Sequence, residues 1–368
     1  MIQRVKNFSL LLIILSFFAE TALNQEINNK FPIPKIEFNP RSYICYKTTE
    51  PLIIDGILDE KCWQQAEWTE NFIDIEGEVE PLYQTRAKLL WDDQYLYIAA
   101  ELMEPHINGQ LQQRDTVIFY DNDFEVFIDP DGDTHKYFEF EMNALNTVWD
   151  LLLVKPYRDG GPAVNTWDIA GLKSAVKIYG TLNDPSDIDE KWTVELAFPL
   201  QILKEGGAGI PKNKDVWRIG FSRVEWQYEI VDGKYKKKID PQTGKPFPEY
   251  NWVWSPQGLI NMHYPEMWGF LQFSDLEPGK GKVQFSLNED EKMKWELRKI
   301  YYFQKNYHAT FKKYASKLTE LELIGLKINK LNYSFNLKAT KSFFSAEIKG
   351  NNVIWRINNE GKTQNISN

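Results

Sequence analysis

Cysteine is nearly absent: Cys45 and Cys62 are the only two in 368 residues. They can form one bridge or remain two buried thiols, and without other ligands they cannot build a structural zinc site. Histidine adds little, since the chain has four and no pair has metal-ligand spacing. Basic charge is also short: 43 Lys and Arg face 52 Asp and Glu, a net charge of −9. The deficit lies in residues 1–280, where 27 basic residues meet 44 acidic ones, a balance of −17. An acidic body of that size argues against nucleic acid as a partner, because phosphate binding needs basic patches. Residues 281–368 reverse the sign, with 16 basic and 8 acidic residues, which suggests two units of different character.

The apolar stretch from Phe8 to Phe18 is too short for a comfortable membrane span. Arg4 and Lys6 precede it and no acid appears before Glu20, so residues 1–24 read as a secretory signal peptide, with Ala22 and Asn24 at the small-residue positions of the cut. The chain is therefore expected to be exported, to the periplasm or the exterior, with an uncleaved anchor as the alternative. No cysteine stands at the cut to carry a lipid.

Aromatic residues are plentiful: 13 Trp and 18 Tyr within 14% aromatics, so many must reach the surface, where they can stack on flat ligands. From Ile53 to about Phe273 short strand patterns alternate with turns, as in "TRAKLLWDDQYLYIAAEL" and "VWRIGFSRVEWQY". This spacing predicts a mainly β fold, an antiparallel sandwich of jelly-roll type. Only "DEKCWQQA" and "LQILKEG" read as helical there, and residues 232–250 read as a long loop. Beyond residue 285 the pattern changes. Asn288 with Glu291 resembles a capping box, and Leu297, Ile300, Tyr307, Phe311, Tyr314, Leu318 and Leu321 recur near helical spacing. A long helix, broken near Ala315–Ser316, followed by three strands, predicts a small α+β unit over residues 285–368.

The densest chemistry is in "DFEVFIDPDGDTHKYFEFEMN", residues 123–143, a strong hairpin signal around "PDGDTH". Strand alternation puts Phe124, Val126, Ile128, Phe138, Phe140 and Met142 on one face. It puts Glu125, Phe127, Tyr137, Glu139, Glu141 and Asn143 on the other, a polar–aromatic surface suited to sugar hydroxyls and C–H faces. Cross-strand carboxylates fall close to the spacing a retaining glycosidase needs. An acid of raised pKa needs burial, however, and this face is expected to be solvated. Asp129, Asp131 and Asp133 alternate across the turn as in a calcium loop, but Phe140 stands where an EF-hand needs Glu. Calcium there, with Asp121 and Asp123 nearby, competes with plain turn chemistry. In residues 251–270, Trp252, Trp254, His263, Tyr264 and Trp268 crowd a Pro-broken loop, either as buried loop aromatics or as a ligand platform.

Taken in order, "IIDGILDEKCW", "AKLLWDDQYLYIAAEL", "DNDFEVFIDPDGD", "EFEMNALN", "KWTVELAFPL", "WRIGFS", "WSP" and "WGFLQF" resemble the family 9 carbohydrate-binding modules, DOMON-like β-sandwiches, over about residues 45–275. The resemblance implies a non-catalytic sugar-binding sandwich, often stabilised by calcium, that works beside glycan-degrading enzymes. Such modules clamp a sugar between two tryptophans. Phe119 and Met262 stand at those positions here, Glu141 matches a sugar-binding arginine, and Glu125 is retained. The expected ligand set is Glu125, Asn143, Phe119, Glu141, Met262, Trp254 and His263. Two alternatives accompany it: glycoside hydrolysis, and haem b bound as in some DOMON-like relatives, where Met262 and His263 are the nearest candidates.

Overall fold

The computed structural model describes residues 30–350 and 352–367; the expected signal peptide at 1–24 lies outside them. The chain forms two compact units, one spanning residues 35–286 and one joining residues 30–34 to 287–367. No described helix is long and apolar enough to cross a membrane.

The first unit is a large curled sheet of thirteen strands plus a separate two-stranded hairpin. Its strands are β1 (Ser42–Lys47), β2 (Ile73–Asp74), β3 (Thr85–Trp91), β4 (Tyr95–Met103), β5 (Asp123–Asp129), β6 (Tyr137–Asn143), β7 (Val148–Leu153), β8 (Ala163–Val164), β9 (Lys173–Tyr179), β10 (Lys191–Pro199), β11 (Val216–Glu225), β12 (Tyr228–Val231), β13 (Lys234–Lys237), β14 (Tyr250–Val253) and β15 (Gly269–Ser274). The order is β8-β7-β6-β5-β11-β15-β1-β3-β4-β10-β9, with β14 on β11 and β2 on β14. The pairing is not purely antiparallel: β1 runs parallel to both β15 and β3. Phe124, Val126, Ile128, Phe138, Phe140 and Met142 join side chains from β3, β4, β10 and β11 in one apolar core, the face that alternation assigned to them.

The two short helices appear as α1 (Lys61–Gln65) and α2 (Leu200–Leu203). The stretch read as a loop is partly structured, because β12 and β13 pair around Asp232–Gly233, both at positive φ. Asp-Gly supplies the two left-handed residues that a tight hairpin turn demands. Both cysteines are free and buried, Cys45 in the main core and Cys62 in a second cluster beside Trp63. Burial pushes both thiols up.

The second unit is built on α3 (Glu289–Phe311), whose first N–H groups are capped by Asn288, the side chain accepting from the Asp290 N–H at 3.1 Å. It ends at Lys312 in the left-handed region, and α4 (Leu318–Glu322) follows the expected break. Strands β16 (Ser334–Ala339), β17 (Phe344–Gly350), β18 (Val353–Asn358) and β19 (Thr363–Asn365) form one antiparallel sheet, one strand more than expected. Phe31 is tied into this unit by both polar atoms of the Asn306 amide.

Candidate functional site

The acidic face of the β5–β6 hairpin is real, and it is not solvated. Register places Glu125 opposite Glu141 on β6 and opposite Ser222 on β11, and Glu141 opposite Trp149 on β7. Glu125, Glu139 and Glu141 are only 4%, 5% and 2% exposed, and Asp123 is fully buried. The cover is the segment after β14. Trp268 lies flat against Gly220, where an added Cβ would come within 3.0 Å of the indole. Its ring also packs on Phe127 and Tyr137. Met262, half-buried, joins the same cluster. His263 packs against Tyr157 at 4.5 Å between ring centres and pairs its Nδ1 with the Tyr137 hydroxyl at 2.8 Å. Burial, with Arg158 nearby, lowers the imidazole to about 3, so it is neutral.

Four buried carboxyl groups thus share this face of the hairpin. Asp123, Glu125 and Glu141 bring one oxygen each within 4.8 Å of one another. The Asp123 Oδ2, Glu125 Oε2 and Glu139 Oε2 atoms are buried with no hydrogen-bond partner. Burial first, and mutual repulsion second, hold Asp123, Glu139 and Glu141 well above the carboxylate range. Burial raises Glu125 to about 7, although the Ser222 hydroxyl works in the opposite direction without forming a good hydrogen bond. Such groups titrate as a set rather than singly.

A folded pKa above the unfolded one gives stability that is complete below the unfolded value and is lost as pH rises through the folded one. In the presence of a chelator, the melting temperature is therefore expected to fall as pH rises from 4.5, the ordinary Glu value, through about 7. Glu125→Gln should flatten that slope in circular-dichroism melts at matched pH. An unchanged slope would show that Glu125 is not buried as an acid.

The other candidates separate. Phe119 is half-buried at the rim; its N–H donates to Glu141 Oε2 at 3.0 Å and its ring packs on exposed Tyr120 at 4.8 Å. Asn143 is on the right strand but committed to structure. Its amide donates to Leu111 O and Asp121 Oδ2, and its oxygen accepts the Leu145 and Thr147 N–H groups. Asp121 in turn accepts the Gln110 and Leu111 N–H groups, so it anchors a loop. Trp254 points into the main core, fully buried, with its indole N–H on Glu70 at 3.0 Å; no ligand reaches it. Asp129, Asp131 and Asp133 do converge, but they accept turn N–H groups from Gly132, Thr134, Asp133 and His135. That is the role turn chemistry gives them.

Several residues escaped the sequence reading. Trp149 faces Glu141 by register, which counting across the next strand would have found. Arg158, on the chain after β7, bonds Glu266 at 2.8 Å and His263 O at 3.2 Å, fixing the cover segment. Arg223 is fully buried and bonds both Glu104 and Glu225. Asn122 joins that network through Glu225 and accepts the Trp226 N–H, while the Trp226 indole donates to Phe119 O. No local pattern announces these partners, which come from strands about a hundred residues apart.

Residues 54–227 match the family described as carbohydrate family 9 binding domain-like. A carbohydrate-binding module of family 9 from Caldicellulosiruptor kristjanssonii, solved in complex with cellotriose, is 16% identical, covers 67% of this chain and 100% of its own, and has a TM-score of 0.42. The structure of a family 9 module from the same organism in complex with glucose is also 16% identical, covering 67% and 99%, with a TM-score of 0.40. No curated protein matches the chain.

Proposed function

We propose, from the premise that residues 54–227 belong to the carbohydrate family 9 binding domain-like family, that this protein is an exported, non-catalytic carbohydrate-binding protein that assists polysaccharide breakdown. The family match carries the ligand class. Export rests on the character of residues 1–24. The binding surface is the rim above the carboxyl cluster: Phe119, Tyr120, Trp149, Tyr157, Met262 and His263. Phe119, Trp149, Met262 and His263 are half-buried, and Tyr120 and Tyr157 are about half exposed, at 55% and 48%. Rings of that exposure offer C–H stacking to a sugar, and Glu125 and Glu141 beneath them offer polar contacts.

Burial removes the objection that the carboxyls are solvated, so hydrolysis needs a better argument against it. A glycosidase needs one acid and one ionised partner, with pKa values pushed apart. Here all four carboxyls are pushed the same way by the same burial. None of the four is lowered from its ordinary value, which favours binding without turnover.

Titration calorimetry against a panel of plant-polysaccharide oligosaccharides tests the reading. Phe119→Ala is expected to weaken binding about tenfold, the loss of one stacking contact of roughly 1–1.5 kcal/mol. Absence of heat from every sugar at millimolar concentration would overturn it, and release of reducing ends would replace it with hydrolysis.

A further inference from the structure

The carbonyls of Phe119 and Tyr120 follow one another in the short turn that carries the rim, and each is held by a side chain from the segment after β11. The Trp226 indole donates to Phe119 O at 2.7 Å, and the Lys237 ammonium donates to Tyr120 O at 2.6 Å. The two donors are themselves stacked, with Lys237 Nζ 3.2 Å from the centre of the Trp226 ring. The Trp226 N–H donates to Asn122 Oδ1 at 2.7 Å, which ties the end of the same turn. Burial lowers the Lys237 ammonium to about 8, while Asp121 and Glu249 act to keep its proton, so it is charged and donating at pH 7. Lys237 reaches the turn because the β12–β13 hairpin is anchored. Tyr235, two residues back on the same face of β13, is buried; its ring meets His106 at 5.6 Å and its hydroxyl donates to Asp184 O at 3.2 Å. Tyr228 stands opposite Lys237 and packs on Tyr235. Lys234 and Lys236 alternate to the other face and are exposed. The family match ends at residue 227, so the whole hairpin lies beyond the matched residues.

We propose that Lys237 is a positioning residue for the sugar rim: carried on the β12–β13 hairpin, it fixes the Phe119–Tyr120 turn so that both rings stand ready for a sugar, a role that rests on the sugar-binding reading above. A turn already ordered need not be ordered again when the ligand arrives, and that saving appears as affinity. The lysine acts through Tyr120 O and not on the sugar.

Hydrogen exchange on the full chain without sugar reads the turn directly. Lys237→Met, which still covers Trp226 but cannot donate, should speed exchange of the amides at residues 118–121 about tenfold and leave those of β5 and β6 as in wild type. Lys237→Arg, which keeps a cation and donors over the Trp226 ring, should restore wild-type exchange, and Lys236→Met should not change it. Calorimetry with cellotriose, xylotriose and mannotriose should then show affinity about tenfold lower in Lys237→Met and within about threefold of wild type in Lys237→Arg. Unchanged exchange in Lys237→Met, or faster exchange with unchanged affinity, would overturn the proposal while the sugar reading stands. Loss of affinity without faster exchange would make Lys237 a direct sugar contact and overturn it too. If wild type gives no heat with any of the three sugars, the proposal falls together with the sugar reading.

Discussion

Replacing Arg223 with Met is expected to cost about 3–5 kcal/mol of stability, because it strands the buried acids Glu104 and Glu225, whose hydrogen bonds it supplies. The guanidinium is fully buried and reaches Glu104 at 2.6 Å, Glu225 at 2.8 and 3.0 Å, Thr85 Oγ1 at 3.0 Å and Met103 O at 2.9 Å. It therefore ties β3, β4 and β11 together by hydrogen bonds that no methionine can replace. Removing all three charges should be far milder than removing one, since a buried ion network replaced by packed neutral groups is often neutral or stabilising. Urea unfolding of Arg223→Met, and of the same variant with Glu104→Gln and Glu225→Gln, measures both. A loss below about 1 kcal/mol in the single variant would mean the network is solvated. Sugar affinity should also fall in the single variant, because Asn122 and Trp226 link this network to the Phe119 backbone.

Gly56→Ala is expected to destabilise by about 3 kcal/mol or more, through strain and a clash together. Gly56 has a φ of +84°, and an added Cβ would lie 2.7 Å from the Lys177 nitrogen and 2.8 Å from the Val176 carbonyl carbon, both backbone. The residue cannot move away without loss. Its N–H, with that of Asp55, donates to Glu195 Oε2 at 3.1 Å, its carbonyl accepts the Thr193 hydroxyl at 2.7 Å, and Trp63 donates to Glu195 Oε1 at 2.9 Å. Gly233→Ala is the control: φ is also positive, at +70°, but nothing lies within 4 Å of the new atom, so the cost should stay near about 1 kcal/mol. Equal losses for the two variants, by thermal or urea unfolding, would show that the backbone beside Gly56 yields.

The Gly56 junction explains how much the sequence reveals. "IIDGILDEKCW" and "KWTVELAFPL" stand more than a hundred residues apart, yet Asp55, Gly56 and Trp63 from one and Glu195 from the other form a single hydrogen-bonded knot. A family pattern reads such a pair because both halves are needed for the same bond set. The Arg223 network has the same physical form but carried no motif in the reading, so its partners were invisible. The Asp232–Gly233 turn of the β12–β13 hairpin is a local signal, but the lysines and prolines around it give the stretch the composition of a loop.

Sequence alone determined the strand periods, the helix cap at Asn288, the turn role open to Asp129, Asp131 and Asp133, and which hairpin residues share a face. These are local matters: side chains alternate every residue along a strand, whatever lies above it. Only the tertiary structure decided what lies above. The acidic face reads as a solvated surface until Trp268, Met262 and His263 fold over it from a segment more than a hundred residues away. Burial, not residue identity, then sets the protonation of Glu125 and its neighbours, because the cost of a charge depends on the water removed from around it. The same placement withdrew Trp254 into the core and spent Asn143 on its own turn, and it left four carboxyls buried on one face of the hairpin.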